Sequence, residues 1–356
     1  MIVPHDRATR ATLAVVSLGR TAHLERCLAS LVAHESATDF RVVWVNNSTG
    51  PMAADWPFEP PTEVLVVDLD TNFGWAGGLH VARANSTSEY LVWVQEDMEV
   101  QEGWLDALVD AADAHPEYAA FGSFARDRDG KAAGRAGGVA TPHDDVARWN
   151  DSDTTPINPP SEVTGFDWVT SKGMLTRVSA WDAIAGPDPR LFPLNHVDKD
   201  YCTHLRAHGF AVALAPAARL FHIGSQASPG PFRSFLAEWQ EPRFNAQWGG
   251  TVAAMADRPG PVEHNCSSWL PAPATPQSIL EHVRRAIGDE AARMLVPFAR
   301  WYSAYRLEEA AGRVWETVAI EADRVREEFR SSFSWKASAP LRLPGRLLAR
   351  LRRRDR

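Results

Sequence analysis

Apolar and polar positions follow two alternating periods along the first part of the chain. TLAVVSL (12–18) is a short apolar run closed by Gly19 and Arg20, and HLERCLASLVAH (23–34) sets Leu24, Cys27, Leu28 and Leu31 at helical spacing. The first predicts a strand and the second the helix that follows it. FRVVWVNNSTG (40–50) and TEVLVVDLD (62–70) predict two further strands, each running into polar, turn-forming residues. NFGWAGGLHVARANS (72–86) reads as a glycine-rich loop entering a helix, and YLVWVQEDMEV (90–100) as a buried strand that ends in acid. Such alternation predicts an α/β fold with a doubly wound, mostly parallel sheet, and ligands gather at the carboxyl ends of strands in such sheets.

The pattern dissolves into Gly, Asp, Pro and Asn over 126–162, an excursion inside the domain, and FDWVTSKGMLTRVSAWDAI (166–184) restores a strand and a helix start. NHVDKDYCTHLRAHG (195–209) has the form of a capped helix: Asp198 or Asp200 stands at its start and Gly209 at its end. AVALAPAARLFHIGSQAS (211–228) is a last strand leading into His222 and a Gly/Ser loop. The expected organisation is a core domain over 1–228, a Pro/Trp-rich connecting segment over 229–275, a helical region over 276–335 and a basic amphipathic tail over 336–356.

Composition narrows the class. The 356 residues are 45% hydrophobic and 23% charged, a globular chain able to bury a large core. Cys27, Cys202 and Cys266 form no CxxC pair, so neither a disulfide framework nor a zinc site is expected, and a reducing cytoplasmic compartment is. The start lacks a signal-peptide pattern, and no apolar run is long enough to span a membrane. Net charge is −8, yet LRLPGRLLARLRRRDR (341–356) carries seven arginines against one aspartate. An acidic body argues against nucleic-acid binding, whereas the tail suits an anionic membrane surface at the inner face of a cell membrane, or else a solvated terminus.

Three clusters hold candidate chemistry. Strand YLVWV delivers Gln95, Glu96 and Asp97 at its end, where carboxylates suit a hard divalent cation shared with a substrate's phosphates. Asp68 and Asp70 form a rival Asp-x-Asp, with Asp68 placed to bond a base or ribose. Gly74, Gly77 and Gly78 stand where a loop enters a helix, a setting in which a backbone can approach a phosphate. Trp75 and Trp168 lie in the same segments and could stack on a sugar. Each cluster also has an ordinary explanation: acidic turn, glycine turn, aromatic core.

Taken in order, VVSLGR, VNNSTG, NFGWAGGLHVARA, YLVWVQEDMEV, FDWVTSKGML, LFPLNHVDKDYCTHLRAHGF and APAARLFHIGSQAS resemble the family 2 inverting glycosyltransferases of the GT-A fold, of the rhamnosyltransferase and galactofuranosyltransferase type. RFNAQWGG (243–250) is a weaker echo of the same group. The resemblance implies Asp97 and His222 as ligands of Mg²⁺ or Mn²⁺ beneath a nucleotide diphosphate sugar, and Asp198 as the general base for an acceptor hydroxyl, with Asp200 supporting the helix start. It implies a donor site built from Asn46, Asp68, Asn72, Gly74, Trp75, Gly77, Gly78, Gln95, Glu96, Ser171, Lys172 and Gly173. The acceptor would be a glycan, a lipid-linked carrier or a secondary metabolite. Three positions depart from the pattern: Asn46 replaces an acid, Gln95 replaces the first acid of Asp-x-Asp, and Val197 replaces the acid before Asp198. A non-catalytic carbohydrate-binding or scaffold protein on the same fold is the competing expectation, and the helical C-terminal region could serve oligomerisation or acceptor binding.

Overall fold

The computed structural model describes residues 9–19, 21–47, 64–129, 136–140, 145–148, 160–223, 230–257 and 276–331. The arginine-rich tail and most of the 126–162 excursion lie outside them. Two compact units divide the chain, residues 1–295 and 296–356.

In chain order the first unit opens with β1 (Ala11–Ser17), α1 (Ala22–Ala33), β2 (Phe40–Asn46), β3 (Val64–Asp68), α2 (Gly74–Ala84) and β4 (Tyr90–Gln95). β5 (Met98–Val100), α3 (Trp104–Ala114) and β6 (Tyr118–Arg126) follow. Next come the short β7 (Gly137–Ala140), β8 (Asp145–Arg148), β9 (Thr164–Phe166) and β10 (Trp168–Val169), then β11 (Met174–Arg177) and α4 (Val178–Ile184). The chain continues through α5 (Val197–Ala207), β12 (Ala211–His222), α6 (Gly230–Asp257) and α7 (Pro276–Ser331). Residues 229–275, expected as a connecting segment, thus contain a 28-residue helix.

Nine strands form the central sheet in the order β3-β2-β1-β4-β11-β6-β12-β5, with β9 on β12. Six of the nine run in one direction; β11, β5 and β9 run against them. The sheet is thus mostly parallel, as the βαβ alternation predicts, with β11 running against its neighbours β4 and β6. β11 enters the sheet from the segment Ser171 to Gly173, which leaves the start of β11 beside the end of β4. β7, β8 and β10 make a separate three-stranded sheet.

Both faces of the central sheet are covered, which is why its strands read as unbroken apolar runs. Successive side chains of a strand point to opposite faces. Ala14 and Val16 of β1 join a core with α2, α4, α5 and the start of α7, whereas Leu13 and Val15 join one with α1 and α3. α1 starts at Thr21, whose hydroxyl accepts from the Leu24 amide at 3.0 Å, and buries the four residues of its expected apolar stripe. In α2 the small residues allow close approach: a Cβ on Gly78 would stand 2.5 Å from Val16 Cγ1, and one on Gly77 2.7 Å from Ile287 Cδ1 of α7.

This packing yields an expected outcome. Gly78→Ala should lower the unfolding free energy by about 1–3 kcal/mol, because β1 and α2 must separate to admit the methyl group. Urea unfolding followed by circular dichroism measures it, and an unchanged midpoint would show that this contact yields without cost.

Candidate active site

Parallel register places the polar ends of four strands in a row. Ser17 lies beside Asn46, Asn46 beside Asp68, and Val16 beside Gln95. On the far side of the sheet β12 runs antiparallel to β5, setting His222 opposite Met98, and the Ile223 amide donates to the Asp97 carbonyl at 3.0 Å. The imidazole is thereby brought to the Gln-Glu-Asp turn, over a separation of more than a hundred residues.

A continuous line of contacts results. His222 Nε2 lies 3.0 Å from Gln95 Oε1 and 3.3 Å from Asp97 Oδ1. Gln95 Nε2 donates to Ser171 Oγ at 2.8 Å, and the Ser171 amide donates to Asp198 Oδ2 at 3.1 Å. Asp198 Oδ1 accepts from the Lys199 amide at 3.0 Å. Asp97, His222, Gln95, Ser171 and Asp198 are thus brought together from the ends of β4, β12, the turn before β11 and the first turn of α5. Glu96 and Asp97 are each 8% exposed, and burial followed by the charge of Asp97 pushes the Glu96 carboxyl up to about 7.

Gly209, at φ 86°, ends α5 as expected, but side-chain capping does not explain its start. Its N-cap is His196 at φ 55°, and no side chain caps the helix. The Asp198 carboxylate instead reaches across to Ser171. Asp200, expected to support the helix start, is buried at 2% exposure, and its Oδ1 accepts from Trp248 Nε1 at 2.7 Å and Gln247 Nε2 at 3.3 Å, both from α6. Val197 is buried in the core, an environment that would penalise an acid at that position.

A second group surrounds the start of α2. Asn46 Nδ2 donates to Asp68 Oδ1 at 2.7 Å. Asn72 Oδ1 accepts from the Gly74 amide at 2.7 Å, and the amide of half-buried Trp75 donates to the Pro193 carbonyl at 2.6 Å. Gly74 has φ +65°, and a Cβ there would stand 2.5 Å from Pro193 O, so only glycine fits. The residue that fixes this loop is Asn47, which was not singled out from the sequence. Its Oδ1 accepts from the Phe73 amide at 2.7 Å and its Nδ2 donates to the Gly74 carbonyl at 2.9 Å.

The other glycines expected at the donor site, Gly77 and Gly78 of the donor loop and Gly173, stand in close packing. Gly77 and Gly78 lie inside α2, where their missing side chains admit α7 and β1. Gly173, at φ +67°, packs under Ser123, whose hydroxyl donates to the Gly173 carbonyl at 2.6 Å. Lys172 beside it is half-buried. Trp168, expected as a sugar platform, is 3% exposed, with the Lys199 ammonium 5.4 Å from its ring.

Among the described residues no three His, Cys, Asp or Glu side chains converge as a metal cluster. Asp97 and His222 form a pair, and their 3.3 Å separation suits adjacent ligands of an octahedral ion, for which about 3 Å follows from bonds of about 2.1 Å. An ion held by two protein groups needs its other oxygens from phosphates or water, a common arrangement for Mg²⁺.

A doubly covered, mostly parallel sheet thus gathers an acidic turn, a histidine and a helix-borne aspartate at one edge. Residues 12–159 match the family model described as "Glycosyl transferase family 2". That match covers less than half of the chain and, with the rhamnosyltransferase relative, supports a nucleotide-sugar-dependent glycosyltransferase. The chain is 26% identical over 257 residues to an N-acetylglucosaminyl-diphospho-decaprenol L-rhamnosyltransferase of Mycobacterium tuberculosis, covering 66% of this chain and 80% of that one. Among solved structures it aligns with GalNAc-T7 in complex with UDP, GalNAc and Mn²⁺ at a TM-score of 0.49 and 13% identity, covering 73% of this chain and 55% of that one. It aligns with S. aureus TarS 1-349 at 0.45 and 12% identity, covering 69% of each. No helix among the described residues is long and apolar enough to cross a membrane.

Burial, and then the charge of Asp188, raise the Asp200 carboxyl from 3.8 to about 7. Folding then holds a proton that the unfolded chain releases, so this group's contribution is fully present below about 4 and lost as pH rises towards about 7. The unaltered chain should therefore lose stability relative to Asp200→Asn across that window. Urea midpoints of both proteins at several pH values measure the difference, and parallel curves would contradict it.

Proposed function

We propose that the enzyme moves a sugar from a nucleoside diphosphate donor to the hydroxyl of a lipid-linked or glycan acceptor, with inversion at the anomeric carbon and Asp198 as general base. The observation that carries this reading is the hydrogen-bonded line from Asp97 through His222, Gln95 and Ser171 to Asp198. It sets a putting-together of charge-bearing groups suited to a diphosphate at one end and a fixed carboxylate at the other. The rhamnosyltransferase relative, whose name specifies a diphosphate-linked lipid acceptor, supports the acceptor class.

In this mechanism the Ser171 amide holds one oxygen of Asp198 and the Lys199 amide the other, so the carboxylate is aimed before the acceptor arrives. Asp198 takes the proton of the attacking hydroxyl as the new bond forms on the face opposite the departing diphosphate. Asn47 holds the backbone of Phe73 and Gly74 in place on the donor side, with Asn46, Asp68, Asn72 and Trp75 around it. Asp97 and His222 would hold a divalent cation, Mg²⁺ or Mn²⁺, with His222 Nε2 exchanging its contact with Gln95 Oε1 for the ion, which when bound would neutralise charge on the leaving diphosphate.

Asp198→Asn should reduce turnover by about a hundredfold or more, the usual range for a lost general base, while uridine or thymidine diphosphate binds within twofold of the unaltered enzyme. Release of nucleoside diphosphate from uridine- and thymidine-linked sugars, with an N-acetylglucosaminyl diphospholipid acceptor, reads turnover. Full activity in this variant would remove Asp198 from the role.

Titration of uridine and thymidine diphosphate with and without Mn²⁺ tests the metal pair. Affinity should fall at least tenfold when the ion is chelated, and Asp97→Asn combined with His222→Ala should abolish that dependence. Affinity indifferent to the ion in the unaltered enzyme would overturn the assignment.

A further inference from the structure

α6 lies beyond the part of the chain that matches the family model, yet it reaches both halves of the candidate site. Towards the base, Trp248 is fully buried and its indole N–H donates to Asp200 Oδ1 at 2.7 Å, joined by Gln247 Nε2 at 3.3 Å. Asp200 stands two residues after Asp198 on the first turn of α5, and its Oδ2 accepts from the Asp188 amide at 3.4 Å. Towards the donor loop, Gln240 Nε2 donates to the Phe192 carbonyl at 2.9 Å. The next carbonyl, Pro193, takes the Trp75 amide at 2.6 Å and closes on Gly74.

The segment 188–193 is therefore a shared mount: α6 grips it at Phe192, α2 rests on it at Pro193, and it contacts α5 at Asp200. The grip is itself braced. Arg243 of α6 donates to the Arg190 carbonyl at 3.2 Å and pairs with Glu290 of α7 at 2.7 Å, and Glu290 is 1% exposed and also takes Trp239 Nε1 at 3.2 Å. Arg190 in turn holds Asp188 through two guanidinium nitrogens. A solvated surface helix would not need so many buried polar bonds directed at one segment, since each costs desolvation of both partners before it forms.

We propose that α6 is a positioning element with two separable functions: Trp248 sets the attitude of Asp198 through Asp200, and Gln240 sets the donor loop through the Phe192–Pro193 segment. The proposal rests on Asp198 as base for its first half and on the Gly74 loop as donor site for its second. Neither Trp248 nor Gln240 touches substrate; each acts through another residue.

The experiment compares Trp248→Phe, which keeps an aromatic ring and removes the donor, with Gln240→Leu, which keeps bulk and removes the amide. Trp248→Phe should lower turnover at least tenfold, leave the Kd for uridine or thymidine diphosphate with Mn²⁺ within twofold, and accelerate amide exchange at residues 198–201. Gln240→Leu should raise that Kd at least fivefold and change saturated turnover by less than threefold. Asp200→Asn keeps an acceptor oxygen for the indole and should retain most of the turnover, whereas Asp200→Leu should match Trp248→Phe. Loss of turnover and of binding in equal measure in both variants would reduce α6 to general stabilisation and overturn the proposal, as would wild-type exchange at 198–201 in Trp248→Phe. If Asp198→Asn is inactive while Trp248→Phe is fully active, the brace fails and the base stands. If Asp198→Asn is fully active, the base reading fails, and the first half of the proposal with it.

Discussion

The side-chain amide of Gln95 both accepts and donates, and the candidate site depends on that double capacity. Its oxygen faces His222 Nε2 and its nitrogen faces Ser171 Oγ, so one side chain at the end of β4 joins the last strand of the sheet to the turn before β11. A carboxylate in its place has no proton to give, so it could only accept from each neighbour and would draw the Ser171 hydroxyl proton away from Asp198. Through Ser171 the same bond reaches Asp198, a residue on a different element and a different layer. The departure from the family pattern at position 95 is thus chemically coherent: a negative charge is given up and a two-way bridge is obtained. With Glu96 and Asp97 both largely buried beside it, one fewer charge also limits repulsion in a confined turn.

Topology makes this bridge available. Parallel strands bring their carboxyl ends to one edge, so Gln95, Asn46 and Asp68 need no special placement. The antiparallel strands do the rarer work. β11 returns between β4 and β6, which puts Ser171 at the same edge, and β12 against β5 carries His222 to the acidic turn. Two reversed strands, β11 and β5, thus convert a generic crevice into one with a particular set of groups.

Much of the fold was legible from periodicity, because β1, β2 and β4 are buried on both faces and α1 carries a clean apolar stripe. What escaped the sequence were features set by partners distant along the chain. β11 has the same local composition whether it runs parallel or antiparallel. Asp200 looked like part of a helix start because acids are common there; only its pairing with Trp248 reveals a buried strut. The site residues were chosen by resemblance, and five of them do meet in one line. Gly77, Gly78 and Gly173 show the limit of reading glycine locally, since a missing side chain serves close packing as well as it serves a ligand. Asn47 could have been found: an asparagine following a strand and able to hold both an N–H and a C=O is suited to clamping a loop.

The bond between Asp200 and Trp248 also constrains how this chain can change over time. A buried carboxylate that loses its indole donor is left poorly satisfied beside Asp188, and an indole that loses its acceptor strands an N–H in the core. Positions 200 and 248 should therefore be exchanged in evolution as a pair, or the aspartate replaced first by asparagine as a neutral intermediate. The same coupling fixes where the protein can be shortened or fused to another. A cut between β12 and α6 would follow the expected end of the core domain at residue 228, yet it would leave the helix that carries Asp198 with an unanswered carboxylate.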